Sequence, residues 1–167
     1  MTGPDDAATW IDKLAIQEVI DRYCDALNRD DWDAYEALFT PDAVWELSSP
    51  WGFKVEGARA IRDVISKLVA KGDFIVQTNH STVVTLLGGD SASATTTIRE
   101  TSRGKDARSA THLGIYCDEL VRVADGWKFK HRFFQSVYYD ESPLTGRVDM
   151  ARAGLQAATA IEVRDSA

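Results

Sequence analysis

Residues 74–85 read Phe-Ile-Val-Gln-Thr-Asn-His-Ser-Thr-Val-Val-Thr, rich in β-branched side chains and free of Gly and Pro. Such residues fit a pleated surface, so the stretch predicts one long strand, Phe74–Leu87. Runs of similar character follow at Ser91–Ser102, Ser109–Val123 and Trp127–Tyr139. The breaks between them hold Gly88-Gly89-Asp90, Arg103-Gly104-Lys105-Asp106 and Ala124-Asp125-Gly126. Turns this short join strands that run antiparallel, which predicts a four-stranded meander for the second half of the chain.

Upstream, Leu14, Ile16, Val19, Ile20, Tyr23 and Leu27 recur at helical spacing. They predict an amphipathic helix to about Leu27, with Thr9 and Asp12 as a capping box and Asn28 as the left-handed residue that ends it. Asp30 or Asp31 is placed to cap a short helix, Trp32 to Phe39, stopped by Thr40-Pro41-Asp42. Ala43–Leu47 and Gly52–Glu56 predict a hairpin, and Gly57 opens a third helix with Ile61, Val64, Ile65 and Leu68 on one face. The order is α-α-β-β-α followed by the meander, an α+β fold in one domain over residues 1–140. A long sheet twists, so it wraps around the helices and leaves a pocket between the two layers. Pro143 and Gly146 set residues 141–167 apart as a C-terminal extension, with a helix predicted over Asp149–Ala160. Its Leu144, Val148, Met150 and Leu155 need cover, either at the pocket mouth or on a neighbouring subunit.

A chain of 167 residues has the size of one domain. Its 26 acidic against 19 basic residues leave a net charge of −7, the wrong sign for binding nucleic acid or an anionic membrane surface. Neither a signal peptide nor a transmembrane run is legible, and Cys24 and Cys117 are too few for a disulfide framework. A reduced, cytoplasmic location is the expectation. No P-loop, nucleophile elbow or dinucleotide fingerprint is present, and three histidines standing singly on separate strands are weak support for zinc, so neither cofactor nor metal is expected.

His80 stands out within its strand, because an imidazole facing a cavity can act as a general base near neutral pH. The alternative is a hydrogen-bonded core or rim histidine. His112 and Tyr116 alternate with Gly114 on one strand face, and His131 shares the parity of Trp127 and Phe129 on the last strand. Inward, these residues would gather with His80 around the pocket. Arg99 could hold a substrate oxygen if inward and is simply solvated if outward. Trp45 and Tyr138 are candidates for an aromatic lining.

The chain resembles the SnoaL-like branch of the nuclear transport factor 2-like superfamily over about Ala15 to Tyr138. The resemblance is carried by Ala-Ile-Gln-Glu-Val-Ile-Asp-Arg-Tyr at 15–23, Asp-Trp-Asp-Ala-Tyr-Glu-Ala-Leu-Phe-Thr-Pro-Asp-Ala at 31–43, and Asp-Gly-Trp-Lys-Phe at 125–129. It implies a cone-shaped α+β barrel whose curved antiparallel sheet wraps the N-terminal helices around a central pocket. Members that resemble scytalone dehydratase, bile acid dehydratase and hexachlorocyclohexane dehydrochlorinase use an Asp–His pair without cofactor. His80 lies on the strand that carries that histidine. The acid lies just after the first helix, in a pattern such as Ala-Leu-Asp-Arg, whereas this chain has Ala26-Leu27-Asn28-Arg29. Tyr23 carries over as a residue that binds or polarises a substrate oxygen.

The resemblance implies a cofactor-independent lyase or isomerase, of dehydratase or deformylase type, with His80, Asn28 and Tyr23 as catalytic residues. Its substrate would be a small apolar, hydroxylated molecule, aromatic or polycyclic. The alternative is a non-catalytic small-molecule-binding or accessory protein that has lost the dyad carboxylate. A homo-oligomer is implied as well, a trimer before a dimer.

Overall fold

The computed structural model describes residues 4–149. Helix α1 spans Pro4–Arg29 and α2 spans Trp32–Ala37; strands β1 (Phe39–Leu47) and β2 (Lys54–Glu56) precede α3 (Ala58–Val69). Four long strands follow: β3 (Gly72–Gly88), β4 (Ser91–Gly104), β5 (Ser109–Val123) and β6 (Gly126–Asp140). The meander is as expected. The sheet is larger, however, with six strands in the order β2-β1-β6-β5-β4-β3. It is also mixed, because β1 runs parallel to β6. Paired residues of these strands, such as Phe39 and Phe129, lie 90 positions apart in the chain, a pairing that local pattern does not reveal.

Helix α1 buries Ile16, Ile20, Tyr23 and Leu27 against the concave sheet face. Leu14, assigned to that stripe from the sequence, is instead exposed. The helix begins at Pro4, where the missing N–H costs nothing, so Thr9 and Asp12 lie inside it rather than forming its cap. Asp12 instead pairs with Arg122 and accepts from the Trp127 indole, tying α1 to the β5–β6 hairpin. The left-handed residue beyond the helix is Asp30 (φ 59°), not Asn28. Asp31 caps α2, its carboxylate accepting from Ala34 N at 3.1 Å.

β3 through β6 curve around α1, α2 and α3 as a cone with one open end. At that end Arg103 holds the chain beyond β6. Its Nη1 donates to the carbonyls of Leu144 and Gly146, both at 2.8 Å, and its other edge pairs with Asp73. Leu144 N in turn donates to Ser109 Oγ at 3.0 Å. Leu144 and Gly146 are thereby tied to β4 and β5. The helix expected over Asp149–Ala160 lies outside the described residues.

Candidate functional site

Between the helices and the concave sheet face lies a cavity of about 760 Å³, the size of a small-molecule site. Apolar side chains from every layer wall it, among them Leu27, Trp45, Ile65, Ile75, Ile98 and Phe134. Across this wall runs one polar row. Strand register places Gln77 opposite Glu100, Glu100 opposite His112, and His112 opposite Tyr139, and all four line the cavity. Cross-strand neighbours on one face have Cβ atoms about 5 Å apart, close enough for their side chains to interact. Gln77 Nε2 donates to Glu100 Oε2 at 3.0 Å. His112 Nε2 lies 2.8 Å from Ser136 Oγ.

His112 is caged by the rings of Trp51, Phe134 and Tyr139, with centroids 4.9, 4.9 and 5.2 Å away. That burial lowers its pKa from the ordinary 6.5, so the imidazole is neutral at pH 7. In the tautomer whose Nε2–H donates to Ser136, Nδ1 keeps a lone pair for a proton. Deeper in the cavity the hydroxyls of Tyr23 and Tyr116 meet at 3.2 Å. Burial pushes both phenols well above 10, so they serve as hydrogen-bond donors and not as tyrosinates. Beneath them Arg132, wholly buried, is sandwiched between the two tyrosine rings at 3.9 and 3.8 Å and pairs with Asp118 at 3.6 Å. Burial raises Asp118 to about 6 against the opposing pull of Arg132.

Of the residues chosen from the sequence, Tyr23, Trp45, His112 and Tyr116 line this cavity. His80, Arg99, His131 and Tyr138 do not, and each correction has a geometric cause. His80 is exposed at a bulge, where the pairing passes from Asn79↔Ile98 to Ser81↔Thr97 and leaves it over. Lys130 is the extra residue of a second bulge, which turns Arg132 inward and leaves His131 to bond Glu46 at 3.2 Å. A third bulge at Val137 puts Tyr139 on the cavity lining in place of Tyr138, both rings being about half-exposed. Arg99 follows the regular alternation outward. The three histidines are thus not brought together, and among the described residues no group of three potential ligands could hold a metal ion. Asn28 lies behind the wall, its side-chain amide bonded to the backbone of Gln77.

Sequence reasoning missed Gln77, Glu100 and Tyr139. Glu100 was within reach, since it shares the parity of Ile98 and Ala94 on β4, both buried. The other two depend on register set by neighbouring strands.

The chain matches the SnoaL-like domain over residues 8–133. Among solved structures it is similar to a protein of Novosphingobium aromaticivorans described as a candidate aromatic ring hydroxylase (TM-score 0.71, 30% identity, covering 76% of this chain and 90% of that one). A candidate scytalone dehydratase from the same organism superposes with a TM-score of 0.73 at 18% identity, over 84% and 97% of the two chains. The hexachlorocyclohexane dehydrochlorinase of Novosphingobium barchaimii gives 0.75 at 16%, over 87% and 99%. The last two likenesses are of fold. No curated protein matches the chain, and among the described residues no helix is long and apolar enough to cross a membrane.

Proposed function

The chain belongs to the SnoaL-like domain family, and from that premise we propose that it is a cofactor-independent lyase or isomerase acting on a small, apolar, hydroxylated aromatic or polycyclic molecule. The observation that carries the reading is the row Gln77–Glu100–His112–Tyr139, which sets a carboxylate and a neutral imidazole on neighbouring strands of the cavity wall. In this scheme His112 Nδ1 takes a proton from substrate carbon, and the C–H electrons form the new double bond. Glu100 stabilises the imidazolium by charge, as a helix-borne acid would. The substrate oxygen accepts from the Tyr23–Tyr116 hydroxyl pair, in which one hydroxyl donates to the other and the second donates to the substrate, a bond that strengthens as charge develops there. For loss of water the imidazolium returns its proton to the departing hydroxyl; for isomerisation it returns the proton to another carbon. The aromatic lining accords with the aromatic substrate in the description of the 30%-identical relative.

The test is a panel of hydroxylated aromatic and polycyclic ketones incubated with the protein in D₂O and read by mass spectrometry. Deuterium incorporation or loss of water is expected for at least one scaffold. Tight binding across the panel with neither change would instead favour the binding-only alternative, which the absence of an acid at Asn28 supports.

The convex sheet face exposes Val83, Val137 and Tyr138. We propose that a second copy of the chain covers it, since large apolar side chains exposed on a long sheet face mark interaction surfaces. Light scattering should report a trimer or dimer at micromolar concentration, and a monomer would end that proposal.

A further inference from the structure

We infer that Asn28 and Gln77 form a positioning relay that holds the Glu100 carboxylate charged and fixed in its place in the row between Gln77 and His112, an inference that rests on the proposed role of Glu100. β3 is an edge strand, so its outer backbone groups have no strand neighbour. At Gln77 the side chain of Asn28 takes that place. Asn28 Nδ2 donates to Gln77 O and Gln77 N donates to Asn28 Oδ1, both at 2.8 Å. Because the N–H and C=O of Gln77 both turn toward α1, Gln77 faces Glu100 as a non-hydrogen-bonded pair. That is the geometry in which opposite side chains lie closest, with Cα atoms about 4.5 Å apart.

The Gln77 side chain is held through its amide nitrogen. Its Nε2 donates to Glu100 Oε2 at 3.0 Å, while the single proton of the Cys24 thiol is shared between Asn79 Oδ1 at 3.1 Å and Gln77 Oε1 at 3.5 Å. Only 3% exposed, Gln77 has no water to trade these bonds for. Its amide donor favours the charged form of the carboxylate it meets. The relay also accounts for an amide where the resemblance implies an acid. A carboxylate at position 28 could accept from Gln77 N, but it would set a second acceptor against Gln77 O. Acid at helix α1 and this clamp exclude each other, and the carboxylate of the site is supplied by β4 instead.

Carboxyl titration of ¹³C-glutamate-labelled protein by NMR tests this without any substrate. Gln77→Met keeps length and volume but removes the donor, and a roughly tenfold higher proton affinity of Glu100 is expected. Asn28→Asp should shift Glu100 in the same direction at neutral pH and speed amide exchange at Gln77. Exchange protection should return at acid pH, where the introduced carboxyl regains a proton to donate. A merely structural Asn28 would change exchange or melting and leave the Glu100 titration where it was. That result, or an unmoved titration in Gln77→Met, overturns the relay. Retained turnover in Glu100→Gln would remove the catalytic reading while leaving this measurement to stand on its own.

Discussion

Turnover should fall by about 10² to 10⁴-fold in both His112→Asn and Glu100→Gln, the usual loss when one member of an acid–base pair is removed. Neither change alters side-chain size much, so circular dichroism and melting temperature should stay near those of the parent. His80→Ala is the control and leaves turnover unchanged, because His80 lies outside the cavity at a bulge. The pH profile carries a second expectation. Burial holds His112 below 6.5, so the rate rises from the acid side, with its midpoint below 6.5, and is level by neutrality. The same shift has a stability consequence. The unfolded chain binds this proton more tightly than the folded one, so stability is complete above 6.5 and declines as pH falls through that value. Full activity in either substitution, or loss in His80→Ala, would return the site to the arrangement that the family resemblance implies.

The contrast between the two histidines shows what the sequence discloses and what it hides. Alternation along a strand is legible, and it identified Tyr116 and His112 as sharing the inner face of β5. Helical spacing likewise picked out Ile16, Ile20, Tyr23 and Leu27 on α1. Three misplaced residues, His80, His131 and Tyr138, lie at or just beyond bulges. A bulge adds one residue to one strand, and a single added residue exchanges the two faces for everything after it. Nothing in the local run Asn79-His80-Ser81 announces this, because the extra residue is defined only by the partner strand. Asn28 was misread for a related reason. Its position suits a helix end, but its amide is matched to a strand 49 residues away, as the pair with Gln77 shows. Glu100 is a different case. It shares the inward parity of its strand, yet a charged residue among small polar neighbours reads as surface until the cavity behind it is known.

Gly114→Ala should cost about 3 kcal/mol, near the upper end for overpacking, and lower the melting temperature by roughly 6 to 12 °C. Gly114 lies between His112 and Tyr116 on the inner face of β5, and the Phe134 ring crosses the strand there. A methyl group on Gly114 would overlap that ring and sit 2.7 Å from the carbonyl oxygen of Gln135, which is backbone and cannot swing away. Phe134 has little freedom to retreat, since it packs at 4.9 Å on His112 and 5.0 Å on Tyr116. Its remaining exit is into the cavity, so ligand affinity should fall together with stability. A double-mutant cycle in urea separates the two clashes. In a Phe134→Ala background the ring is gone, and adding Gly114→Ala should cost much less, leaving only the strain against Gln135. A single Gly114→Ala that melts like the parent would show that β5 and β6 can part at this point. The ring would then not be what holds His112 and Tyr116 apart at the fixed spacing that the proposed chemistry requires.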